Sequence, residues 1–131
     1  MSSTIKMMEN DTELVVSLGD DFDFAKEGEE HVAQITNILD QQTEPIYYIV
    51  DVRKLDVTFD DMLALINRVA RGENALLHHP NIKEIINVIS DSFQRAMSEG
   101  LDSEWFGNLK VKLVYSLDEG LDYIRSRQGR G

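Results

Sequence analysis

Two short runs constrain this chain most: Ile46-Tyr47-Tyr48-Ile49-Val50-Asp51-Val52 and the segment Ile82 to Ile89, with Ile85-Ile86-Asn87-Val88-Ile89 at its centre. β-Branched and aromatic residues dominate both, which is the composition of buried strands. A strand that is apolar on both faces must be covered on both, so helices are required on each side of any sheet containing it. The longest unbroken apolar stretch, Ile46 to Val50, is far shorter than the roughly 20 residues of a membrane-spanning helix.

The flanking segments supply the other elements. Residues 4–9 and 12–18 read as a strand pair joined at Asn10-Asp11, with Leu14, Val16 and Leu18 on one face at period two. Asp20-Asp21-Phe22-Asp23 offers a helix N-cap, and Val32, Ile35, Ile38 and Leu39 follow at helical spacing to about residue 41. After the break at Thr43-Glu44-Pro45 and the first buried strand, a helix is predicted from Thr58 to Gly72, with Phe59, Met62, Leu63, Ile66, Val69 and Ala70 inward. A shorter one is predicted from Ser90-Asp91 to Gly100. Leu109-Lys110-Val111-Lys112-Leu113 alternates like a half-exposed edge strand, and its lysines discourage edge-to-edge pairing. Ser116-Leu117-Asp118-Glu119 is a capping box that opens a last helix with Leu117, Leu121 and Ile124 inward. The expected order is β-β-α-β-α-β-α-β-α: an α/β fold with a mixed sheet of about five strands and four helices packed around it.

Composition narrows the function classes. The 131 residues suffice for one domain, 1–131, with the Gly-rich stub at 128–131 expected to fray. The 24 acidic and 13 basic residues give a net charge of −11. That balance argues against nucleic acid and against anionic membrane surfaces, since both are bound through Lys and Arg. Nine of the acids and a single base, Lys26, fall between Glu9 and Glu30, whether as a binding face or as a solvated one. The absence of cysteine removes thiol nucleophiles, disulfides and Cys-ligated zinc. Met1-Ser2-Ser3-Thr4 lacks a signal-peptide pattern, so a cytoplasmic location is expected.

Three stretches together resemble the STAS domains, the anti-sigma-factor-antagonist fold, and more closely its SpoIIAA-like branch. They are Ile49-Val50-Asp51-Val52 through Leu55 to Thr58-Phe59-Asp60-Asp61-Met62-Leu63; Ile86-Asn87-Val88-Ile89-Ser90-Asp91-Ser92-Phe93; and Val111 to Ile124. The resemblance implies a STAS-like fold and a regulatory, protein-binding domain of bacterial type, docking through the loop and helix that start near Thr58. The family's phosphorylated Asp-Ser-Ser-Gly-Leu-Gly motif is not present. In the ungapped register Phe59 to Leu63 occupy it, with Asp60 and Asp61 at the serine positions and Thr58 the nearest hydroxyl. The usual serine phosphoswitch is therefore not expected. Asp60 and Asp61 either supply fixed negative charge to a basic partner surface, or with Thr58 simply cap the helix.

Other candidates carry weaker chemistry. Asp51 ends a buried strand near Asp56, Asp60 and Asp61 in sequence, and such strand ends are where α/β sites gather. A Mg²⁺ site there is one reading, but the chain has no Gly-rich phosphate loop, and no enzyme activity is expected. The adjacent His78 and His79 diverge too far to share an ion and are expected in an exposed loop; His31 is expected on the surface of an acidic helix. Trp105 and Phe106, between Gly100 and Gly107, are interaction aromatics if exposed and core if folded back. The expectation is thus a non-catalytic domain with a protein partner, no cofactor and no metal, and with homodimerisation through the edge strand at 109–114 or the first hairpin left open. The alternative is a carrier holding a small apolar ligand or lipid between sheet and helices, with Met62 and Phe93 at the cavity.

Overall fold

The computed structural model describes residues 3–8, 12–22, 24–54, 76, 79–90 and 111–128. Five strands, β1 (Ser3–Met7), β2 (Glu13–Leu18), β3 (Ile46–Asp51), β4 (Ile82–Val88) and β5 (Val111–Val114), form one sheet in the order β1-β2-β3-β4-β5. β1 and β2 are antiparallel, and every other neighbour pair is parallel. Parallel neighbours need a crossover connection, and helix α1 (Phe24–Asp40) supplies the one between β2 and β3. Helix α2 (Leu117–Gln128) follows β5 after a two-residue link, Tyr115-Ser116.

The pleat sends alternate residues to two cores. On one face Leu14, Val16 and Leu18 of β2, Ile46 and Tyr48 of β3 and Ile85 of β4 pack under Ile35 and Leu39 of α1. On the other, Val15, Tyr47, Ile49, Ile86, Val88 and Val114 pack under Ile124, with Leu117 and Leu121 partly buried beside it. A fully buried Ile such as Ile124 contributes about 1.5–3 kcal/mol. Two-faced burial of β3 and β4 thus follows from their composition. Leu14, Val16 and Leu18 of β2 share one face as expected, and Glu13 and Val15 on its other face are buried as well, because β2 is an interior strand between β1 and β3. The helices expected at 58–72 and 90–100, the turn at Asn10-Asp11 and the first residues of the predicted edge strand lie outside the described residues.

Local capping fixes the helix ends. Ser116 Oγ accepts from the Glu119 amide at 3.1 Å, and the Glu119 carboxylate accepts from the Tyr115 amide at 3.1 Å, which realises the predicted box one residue wider than usual. The last turn of α1 is held from afar: Asn81 Nδ2 donates to the Leu39 carbonyl at 2.8 Å and to the Gln42 carbonyl at 3.2 Å. Asn81 is positioned by its own amide, which donates to His79 Nδ1 at 3.0 Å. That acceptor role leaves the proton on His79 Nε2, which donates to Asp40 at 2.7 Å. His79 is therefore not the free loop residue expected; it ties the β4 approach to α1, and its side chain is only 11% exposed. His78 lies outside the described residues.

His31 is likewise not on the surface. Helical phase puts it on the same inward stripe as Ile35 and Leu39, and it is 9% exposed, edge-on to Phe22 with ring centroids 5.2 Å apart. Its Nδ1 is buried with no hydrogen-bond partner. Burial pushes the His31 pKa below 6.5, partly opposed by the charge of Glu27.

Candidate functional site at the carboxyl rim

The parallel register aligns the carboxyl ends of three strands: Asp51 lies opposite Val88, and Val88 opposite Val114. The ladder runs one residue further, with the Val52 amide donating to the Val88 carbonyl at 3.0 Å and the Ile89 amide to the Val114 carbonyl at 2.9 Å. Side chains at these ends are thereby fixed along one rim. In open α/β sheets that rim is where ligands and partners are met.

Asp51 is the best-defined group there. The chain turns back at Val52, so that Asp51 Oδ1 accepts from the Arg53 amide at 3.1 Å and from Arg53 Nε at 3.0 Å. Arg53 Nη2 donates to Oδ2 at 2.8 Å, which completes a two-pronged pair. The Asp51 side chain is 15% exposed and that of Arg53 is 39% exposed. Burial alone would raise the Asp51 pKa; the hydrogen bonds and charge of Arg53, with Lys54 beyond, override it and hold the carboxyl below 3.8. Asp51 therefore stays ionised and acts as a pin for Arg53. Two strand spacings away, about 10 Å, Tyr115 is the large hydrophobic residue left 52% exposed among those described.

Of the residues singled out in the sequence, Asp51 stands on this rim. Thr58, Asp60, Asp61, Trp105 and Phe106 lie outside the described residues, as does Asp56. Among the described residues no group of three or more His, Asp or Glu side chains is placed to hold a metal ion. Nor is any helix among them long and apolar enough to cross a membrane. The sequence by itself does not single out Arg53 or Tyr115. Their signals were local: an Asp-x-Arg step at a strand end, and a tyrosine between a strand and a helix cap.

A larger cleft, about 660 Å³, opens at the other end of β3 beside the last turn of α1. Thr12, Gln41, Gln42, Thr43 and Glu44 contribute to its lining, so it is not an apolar chamber between sheet and helix.

Comparison with known proteins bears on the fold. No protein-family model matches the chain, and no curated protein matches it. Among solved structures it is similar to an uncharacterized protein of the DUF3478 family with a SpoIIAA-like fold, from Shewanella loihica PV-4. The two are 17% identical with a TM-score of 0.54, over 92% of this chain and 90% of that one. The chain is an α/β protein with a SpoIIAA-like fold, and its mixed five-stranded sheet and two described helices fit that architecture.

Proposed function

We propose that this protein is a non-catalytic regulatory domain that docks a protein partner through the carboxyl rim of its sheet and the segment that follows it. The observation that carries the reading is the juxtaposition, on a SpoIIAA-like fold, of an Arg53 pinned by Asp51 and an exposed Tyr115 on one rim. Arg and Tyr are the residue types that anchor interfaces, and a pinned Arg loses little freedom on binding. Thr58, Asp60 and Asp61 follow Lys54 within a few residues. Asp60 and Asp61 add fixed negative charge suited to a basic partner surface, and attraction at range speeds encounter. With aspartates where the family's motif has serines, docking of this kind is constitutive rather than switched by serine phosphorylation. The test is native mass spectrometry of the protein isolated gently from its own host, repeated on the variant Asp60→Lys/Asp61→Lys. A protein-sized added mass that is lost in the variant supports the reading; a complex that survives the double substitution removes this surface from it. Nothing in the described clefts favours the apolar-carrier alternative, whose signature would be an added mass of a few hundred daltons (order of magnitude for a small ligand filling a 300–1,000 Å³ site).

A further inference from the structure

The opposite end of the sheet carries an arrangement independent of the docking rim. Between β3 and β4 the register slips: Ile46 pairs with Ile82 but Tyr47 with Glu84, so Lys83 has no partner on β3. Bulges are rare between parallel strands, and they re-aim side chains. Here Lys83 is carried over the Tyr47 ring, its Nζ 5.2 Å from the centroid. Helix α2 builds the facing wall. Tyr123 donates to Glu84 Oε2 at 2.5 Å, and Arg127 Nε lies 3.2 Å from Glu84 Oε1, so each oxygen of that carboxylate has a donor. A guanidinium has five N–H donors in a fork, and Arg127, in contact with Glu84 and Tyr47, presents its own from a side chain that is 55% exposed.

The cleft between these walls measures about 460 Å³ and is lined by Tyr47, Lys83, Tyr123, Ser126 and Arg127. Those residues are two cations and three hydroxyls; no carboxylate is among the described residues lining it, in a chain with 24 acidic and 13 basic side chains. Lys112 does not line the cleft, but its Nζ lies 5.0 Å from the centroid of the Tyr123 ring that does, which adds positive charge nearby.

We propose that this cleft binds a small organic phosphate monoester, its phosphate held by Lys83 and Arg127 with Ser126 as hydroxyl donor and its organic part against Tyr47 and Tyr123. A carboxylate brings one charge and two oxygens, whereas a phosphate brings about −1.5 to −2 and three, which matches paired cations and a forked guanidinium. The volume greatly exceeds a bare phosphate and falls in the range of small-molecule sites. An extended polyanion is disfavoured by the net charge of −11.

The experiment is an amide NMR titration of the full chain with phenyl phosphate, inorganic phosphate and benzoate at constant ionic strength. Phenyl phosphate is expected to give saturable shifts at Lys83, Glu84, Ser126 and Arg127, and to bind more tightly than the other two probes. Lys83→Gln, at an exposed position, is expected to leave the spectrum folded and weaken binding about tenfold, the worth of one charge-assisted hydrogen bond. Shifts that fail to saturate, that map elsewhere, or that persist with equal affinity in Lys83→Gln overturn the proposal. Equal binding of benzoate or of inorganic phosphate overturns the assignment to an organic monoester.

Discussion

At the scale of single residues, two titrating groups weaken the fold as pH falls, in different windows and for different causes. His31 is buried on the inward stripe of α1 with Nδ1 unpartnered, and burial lowers its pKa below 6.5. The unfolded chain therefore takes up a proton before the folded one does. The stability that neutral His31 permits is complete above 6.5 and is lost as pH falls from 6.5 toward the lowered folded value. Urea unfolding across that window should show a loss of up to about 1.4 kcal/mol per pH unit, and His31→Phe should remove that component. An identical pH dependence in the variant would place the titration elsewhere. Asp51 acts in the same sense at lower pH. Its contribution is present above 3.8 and is lost as pH falls through its lowered folded pKa. Arg53→Ala removes the forked pair and leaves burial to dominate, so the Asp51 carboxyl should titrate at higher pH by NMR. The stability lost at neutral pH should stay at about 1 kcal/mol or less, because Arg53 is well exposed and solvent screens the pair.

Elements are held by contacts of two ranges, and the range decided what could be read from the sequence. The capping box at Ser116 and Glu119 lies within four residues and was legible, as were the two-faced strands β3 and β4. The interior position of β2 was not, because Glu13 and Ser17 interrupt its apolar pattern and only strand order reveals burial on both faces. Asn81 was silent for a similar reason: its partners, Leu39 and Gln42, are brought to it only by the fold. Asn81→Ala removes two hydrogen bonds at the end of α1, leaving the Leu39 carbonyl with the Gln42 amide alone at 3.1 Å, and should cost about 1–3 kcal/mol in chemical unfolding. α2 packs close on the sheet at Gly120, where a Cβ would lie 3.4 Å from Ile86 Cγ2 and 3.6 Å from Val114 Cγ2. Gly120→Ala fits this space and gains helix propensity, so its midpoint should hold or rise, whereas Gly120→Leu should lose about 1–3 kcal/mol by overpacking. Equal loss in both would mean that backbone conformation, not space, requires glycine there.

For the whole molecule, a mixed sheet covered on both faces presents two different ends. The carboxyl end carries Asp51, Arg53 and Tyr115; the amino end carries Lys83, Arg127 and the tyrosines around Glu84. Asp51 could be picked from the sequence as a carboxylate ending a buried strand. Its partner Arg53 could not be ranked without the turn that folds it back. Lys83 was invisible, since a register slip between two strands has no local sequence signature. The claim that one end is the docking surface is tested most directly by photo-crosslinking. A photoreactive amino acid is placed at Tyr115 on the carboxyl rim, or at exposed Glu44 at the far end of β3, and irradiated in the host cells. A discrete protein-sized adduct from position 115 and none from position 44 is the predicted result; no adduct from 115, or the same adducts from both, would contradict it.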